Sequence, residues 1–444
     1  MIRFPAMATA LAIASSFGAQ ALAQVGNPAS PRVGSPATQP AGPPAPDVRL
    51  PGDLPNLVPR EGPLPANLTL EQALEEAEAR SPAISAARSS LAAAQSRLRQ
   101  AGFRPNPELS VELEDFLGTG DLSGLRSAQL TVAVNQRLDL GGRRGARQAA
   151  ARAAIAVAQL NILVTRADLG QSIRQQFATA VAARERLRIA TDREERTQEL
   201  ARIAGILVDA GREPPLRALR ARAAATQASA NRRAIAAEEA VARFTLASLF
   251  GVETPPASVV GSIDAVSVQT IAPDQSLEAR LAQAELALAQ ANLQQELAAT
   301  RLDPAVGVGI RRNQEVDDQA FVAGFSLPLQ IRNRNQGNIA AARAEIAAAQ
   351  ARLAGALARA GVRINNASVN RSAADIRVRA LETAAVPEAR EALRLAELSY
   401  RAGKIPLLEL LDAQNALASV EADLVEARLA RAQASAEFSR AIAQ

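Results

Sequence analysis

Two short stretches decide the fold: AGREP at residues 210–214 and AGKIP at residues 402–406. They lie 192 residues apart and share the pattern Ala-Gly-basic-x-Pro. Glycine adopts a left-handed conformation without a Cβ clash, so Gly211 and Gly403 suit the cap that ends a helix. Proline has no N–H to lose and a fixed φ, so Pro214 and Pro406 suit the first turn of the helix that follows. Each stretch reads as the tip of a helical hairpin, and the two together read as an internal duplication.

The arms leading into the tips are long. Residues 146–210 contain no proline and only Gly170 and Gly205; residues 338–402 contain one proline, Pro387, with Gly355 and Gly361. A continuous helix over either run would be roughly 100 Å long at ~1.5 Å per residue. Ordinary globular helices are far shorter, so a coiled coil or helical tube is implied. Leu169, Ile173, Phe177 and Val181 recur every four residues. After the second tip, Leu410, Leu417, Leu424 and Phe438 lie on a seven-residue grid interrupted by Arg431, beside a row of Leu411, Ala418 and Val425. Paired rows of this kind form a heptad seam.

Upstream of each arm the period changes to two. LSVELE (109–114), LTVAVN (130–135), AVGVGI (305–310) and FVAGFSL (321–327) alternate as strands do, in two hairpins. Leu109, Val111 and Leu113 would face lipid, and Ser110, Glu112 and Glu114 water, as in a wet barrel. A surface hairpin on a soluble domain is the plainer alternative. Each half thus reads helix, strand, strand, long helix, tip, long helix. Four strands cannot close a membrane barrel, which needs at least about eight. Three chains in a cyclic assembly would supply twelve.

The ends carry other signals. Arg3, the apolar residues 6–18 and the Ala21-Leu22-Ala23 motif mark residues 1–23 as a secretory signal peptide. Residues 24–67 form a proline-rich leader, with twelve prolines between 26 and 66, where neither helix nor central strand is expected. The first repeat spans 68–250, a linker 251–274, and the second repeat 275–444. No later run of about twenty uninterrupted apolar residues is evident, so a membrane would have to be crossed as a barrel.

Composition narrows function. Among 444 residues there is no His, Cys or Trp, a single Tyr, and a net charge of only +5. The commonest metal ligands and nucleophile–base pairs are missing, so catalysis is not expected, nor is a cofactor, a metal site or a disulfide. Without cysteine there is no cysteine-linked lipid anchor. No basic stripe interleaved with aromatics points to nucleic acid, and no Gly-rich Lys-Ser/Thr loop points to a nucleotide.

The duplicated helix–hairpin–helix plan resembles the outer membrane efflux protein family, whose type member is TolC. The stretches RPNPELSVELEDFLG (104–118), VNQRLDLGGRRGARQAAA (134–151), AFVAGFSLPLQIRNRNQGNIAAA (320–342) and YRAGKIPLLELLDAQNA (400–416) are similar to its CzcC-like heavy-metal branch. The resemblance covers nearly all of residues 68–443. It implies a homotrimer with a twelve-strand barrel in the outer membrane and a long α-helical periplasmic tunnel. It also implies docking on a periplasmic adaptor and an inner-membrane RND pump, and an efflux cargo of cobalt, zinc, cadmium or nickel. Multidrug efflux and type I secretion remain open, as do an adaptor or coiled-coil scaffold, which would lack the second hairpin or the four strands.

The resemblance also places site residues at the tips. In the family, acidic residues after the second tip line a constriction; here these are Glu409 and Asp412, three apart on one helix face. A ring of carboxylates favours cations, although a solvated helix face has the same appearance. The 192-residue offset puts Arg217 and Arg220 at the matching positions of the first tip, so pairing with Glu409 or Asp412 across adjacent helices would latch the duct. Tyr400 resembles a family tip tyrosine that bonds across helices, against plain packing. Arg212 and Lys404, the sole lysine, follow the tip glycines and are candidates for adaptor docking with Gly211, Pro214, Gly403 and Pro406; helix C-terminal charge compensation is the alternative.

Overall fold

The computed structural model describes residues 60–261 and 272–443. The expected signal peptide, most of the proline-rich leader and part of the linker lie outside the described residues.

The first arm forms one unbroken helix, α3 (Arg143–Asp209), and the second hairpin closes on α8 (Leu407–Ala441). Between the first tip and the linker runs α4 (Pro215–Ser248). The second arm differs from the first. It is α6 (Gln336–Ala380), a π-turn over Leu381–Ala385, and α7 (Val386–Arg401). Pro387 explains the interruption: its ring nitrogen cannot donate back to the preceding turn, and the chain widens there to accommodate it.

Shorter helices flank the strands. In the first repeat they are α1 (Leu70–Arg80) and α2 (Pro82–Gly102). Thr69 and Gln72 form a capping box that starts α1, and Pro82 at the head of α2 separates the two. The second repeat has the single helix α5 (Leu277–Ala299), capped by Ser276.

Helix packing gives a lateral order. α3 packs against α2 and α4 towards one edge and against α5 and α8 towards the other; α6 packs on α5 and α8, and α7 on α8. The edges of the helical layer are therefore α2/α4 and α6/α7. Much of its inner surface is alanine, including Ala178, Ala182, Ala342, Ala349 and Ala356, which lets helices approach closely. Ile173, Phe177 and Val181 are buried as the four-residue spacing requires, against Leu246 and Phe250. Leu410, Leu417 and Phe438 are buried too, while Val425 and Leu429 replace Leu424 in the core, because a straight helix drifts relative to a seven-residue grid.

The four alternating segments form one sheet: β2 (Glu108–Glu114), β3 (Gln129–Arg137), β5 (Ala305–Asn313) and β6 (Asp318–Ser326), in that order and antiparallel throughout. The last strand starts three residues earlier than its sequence pattern and stops one residue short. The β3–β5 pair joins the two repeats. A second sheet was not legible in the sequence. β1 (Asn67–Leu68) pairs in parallel with β4 (Ser258–Val259), burying Leu68 and Val259 against Phe177.

Two buried arginines tie the segment before α1 and the end of α8 to this frame. Arg80 meets Glu76 at 2.5 Å and donates to the Gly62 carbonyl at 2.7 Å, fixing the segment that enters α1. Arg440 on α8 pairs with Asp168 of α3 and with Glu278 of α5, at 2.7 Å to the latter, so it links both repeats. Among the described helices only α3 contains a stretch apolar enough and long enough to cross a membrane. The helix packs against α2, α4, α5 and α8, but little of that apolar stretch is buried within the chain.

Candidate functional site

The register of the four-stranded sheet sorts its side chains into two chemically different faces. Directly opposed residues of an antiparallel sheet share a face. One face carries Leu109, Val111 and Leu113, opposite Val134, Val132 and Leu130, and continues through Val308, Ile310, Phe321 and Phe325. These residues are exposed, Phe321 at 92%. A contiguous exposed apolar face of this size marks a surface that meets something other than water. The other face carries Ser110, Glu112, Glu114, Gln129, Thr131, Asn135, Arg311, Asn313 and Asp318. Arg311 there bonds Thr131 at 3.0 Å and pairs with Glu114 at 3.3 Å. Both edge strands, β2 and β6, have one unpaired side within the chain.

At the far end of α3, the tips have the same construction. Gly211 and Gly403 take φ of 69° and 70°. Gly211 N–H donates to the Val208 carbonyl and Arg212 N–H to Leu207; Gly403 N–H donates to Tyr400 and Lys404 N–H to Ser399. Both are Schellman caps, which satisfy the last carbonyls of the incoming helix. Pro214 and Pro406 occupy the N-cap position just before the next helix and not its first turn; Pro215 and Leu407 begin the helices.

Between the two tips lies a cleft of about 990 Å³, lined among others by Glu199, Leu207, Arg212, Glu213, Tyr400 and Lys404. Tyr400 packs against the apolar cluster of Leu200, Ala204, Leu393, Leu407 and Leu410. Burial pushes its phenol above the ordinary value; the Glu213 carboxylate adds to this and the Arg217 guanidinium opposes it. Gln414, which also lines the cleft, is 8% exposed and its side-chain oxygen has no donor among the described residues.

The expected gate residues separate into two groups. Within the chain Arg217 is held by Glu213, four residues before it, a partner that the sequence pattern did not single out. Glu409 and Asp412 point to solvent, away from the buried side of α8 formed by Leu407, Leu410 and Leu417, and Arg220 on α4 is exposed as well. Among the described residues these three have no ion-pair partner, and Arg217 does not meet Glu409 or Asp412 within the chain. Other links bind the first arm to α8: Arg193 donates to Asn415 at 2.8 Å, and Arg186 pairs with Glu426. Leu216 and Leu408, at matching positions beyond the two tips, are both exposed. Among the described residues no group of acidic side chains is placed to hold a metal ion.

The model of the family described as outer membrane efflux protein matches residues 73–252 and 272–444. The chain belongs to the outer membrane efflux protein family. This efflux protein is 31% identical over 367 residues to the cobalt-zinc-cadmium resistance protein CzcC of Cupriavidus metallidurans, covering 81% of this chain and 85% of that one. It is 30% identical over 278 residues to the nickel and cobalt resistance protein CnrC of the same organism, covering 61% and 66%. Among solved structures, CusC superposes with a TM-score of 0.71 at 18% identity, over 87% of this chain and 95% of that one. The efflux protein therefore acts as an outer-membrane export duct, with a TolC-like helical fold.

Proposed function

We propose that three copies of this efflux protein close one twelve-strand barrel in the outer membrane, continued by an α-helical tunnel in the periplasm. The observation that carries the reading is the sheet: four antiparallel strands, apolar outside and polar inside, with an unpaired edge on each side. An open edge in lipid leaves backbone groups unsatisfied at several kcal/mol each, and only closure removes it. An even number of up-and-down strands per copy makes β2 antiparallel to the β6 of a neighbour, so the barrel closes without a change of pattern.

The duct has no chemistry of its own to perform and is not an enzyme. It works with a periplasmic adaptor and an inner-membrane RND pump that supplies the energy. The cargo is divalent metal cations of the cobalt, zinc, cadmium and nickel group, a reading supported by the resistance proteins that the chain is similar to. A chain without His or Cys suits an exit path, which should not retain a soft cation.

At the tips, threefold repetition sets Glu409 and Asp412 alternately with Arg217 and Arg220 around the axis, and contacts between them hold the duct closed. Gly211, Arg212, Pro214, Gly403, Lys404 and Pro406 form the adaptor-facing surface, with the unsatisfied Gln414 oxygen as an acceptor in the cleft between them. Exposed ion pairs contribute about 0–1 kcal/mol each, so the latch depends on its threefold copies. Glu409→Lys should raise basal conductance in planar bilayers and weaken cation preference; unchanged currents would remove Glu409 from the gate. Loss of the gene should sensitise cells to cobalt or zinc; sensitivity to drugs alone would reassign the cargo.

A further inference from the structure

The free edges of the helical layer carry their own apolar surfaces. On α6, Val362, Val369 and Ile376 stand seven residues apart and are 59%, 67% and 62% exposed. The buried residues Ile364, Ala367 and Val378 look towards α5 and α8. At ~100° per residue, the exposed row lies nearly opposite them. Since α6 is an edge helix, the row points out of the chain sideways. On the other edge, Val241 and Phe244 of α4 are 63% and 55% exposed and lie opposite Ala242, Leu246 and Ala247, which face α3.

The heights of the two surfaces agree. Both α3 and α6 start below the same end of the sheet, after β3 and β6. At ~1.5 Å per residue, Val369 and Ile376 lie roughly 50 and 60 Å along α6 from that end. Following α3 to its tip and returning along α4 puts Val241 and Phe244 roughly 55–60 Å from it. Charge agrees as well: exposed Arg377 follows Ile376 and exposed Glu238 precedes Val241, and neither has a partner among the described residues.

We propose that Val369 and Ile376 of one copy pack against Val241 and Phe244 of the next, with Arg377 beside Glu238, as the tunnel's subunit seam. The inference rests on the cyclic assembly proposed above and names the occupant of each helical edge as a second copy of this chain. It continues the same edges that β2 and β6 present in the sheet. The apolar row ends at Ile376, just before the π-turn at Leu381–Ala385. Beyond the turn the exposed residues of α7 are mixed, with Glu388, Arg390, Glu391 and Arg394 beside Leu395 and Leu398.

The native chain has no cysteine, so introduced pairs report on their own. Oxidation of the full-length protein carrying Val241→Cys with Ile376→Cys, or Phe244→Cys with Val369→Cys, should give covalent dimers and trimers on denaturing gels, and the single variants monomers. Trimers in mild detergent without cross-links in either pair would overturn the seam and leave the duct intact. A monomer in mild detergent would overturn both. If cysteine variants assemble poorly, charge exchange decides: Glu238→Lys or Arg377→Glu alone should lower the temperature at which trimers dissociate, and the double variant should restore it. Additive losses would contradict the contact.

Discussion

Tyr400 is the one tyrosine in a chain without tryptophan, so near-ultraviolet absorbance titrates this phenol alone. Its midpoint should lie above the ordinary value of 10.0, because burial and Glu213 disfavour the phenolate more than Arg217 favours it. Glu213→Gln should lower the midpoint and Arg217→Ala raise it; a midpoint indifferent to both would detach Tyr400 from that ion pair. A raised value also fixes the sign of the pH effect. The contribution of Tyr400 to stability is complete below its unfolded value and is lost as pH climbs through the folded one. At this scale the sequence is only partly legible. Tyr400 and Arg217 are marked by their places around the tips, and the structure brings them near the same glutamate. Glu213 itself gave no signal, since an acidic residue in a turn is common. Arg80 and Arg440 look like surface arginines in sequence, and only the fold shows that they are buried against Glu76 and Asp168.

The tips are the elements most plainly written in the chain, because a left-handed cap restricts the residue that can occupy it. Gly403→Ala places a Cβ at φ of 70° and should cost about 1–2 kcal/mol. If that destabilises the cap locally, amide exchange at Lys404 should accelerate roughly 5–30-fold. No change would mean that the tip is held by its neighbours and not by its cap. Strands were legible for a similar reason: alternation is unambiguous when one side is apolar and the other charged, as from Leu109 to Glu114. Two elements left no such trace. The β1–β4 pair is two residues on each strand, too short for any period to develop. The π-turn keeps the composition of the helix around it, and Pro387 signals a disturbance without saying which form it takes.

For the whole molecule, the two faces of the sheet should respond differently to charge. Val308→Arg on the apolar face should cost about 2–4 kcal/mol per copy near the centre of the bilayer. It should therefore reduce the trimer recovered from the outer membrane. Glu112→Gln on the polar face should leave assembly intact and shift ion selectivity. Equal tolerance at both positions would contradict the assignment of faces. The duplication and the long arms follow from sequence spacing. The lateral order of the helices does not, because alanine-rich faces are nearly interchangeable until packing chooses among them.

The central claim is that copies of this chain share one membrane barrel leading to a narrow charged tip. The most direct test is the single-channel conductance of the purified protein in planar bilayers, with its oligomeric state fixed beforehand. The account predicts a trimer that passes small, cation-selective currents. A protein that stays soluble without detergent and never conducts would contradict it.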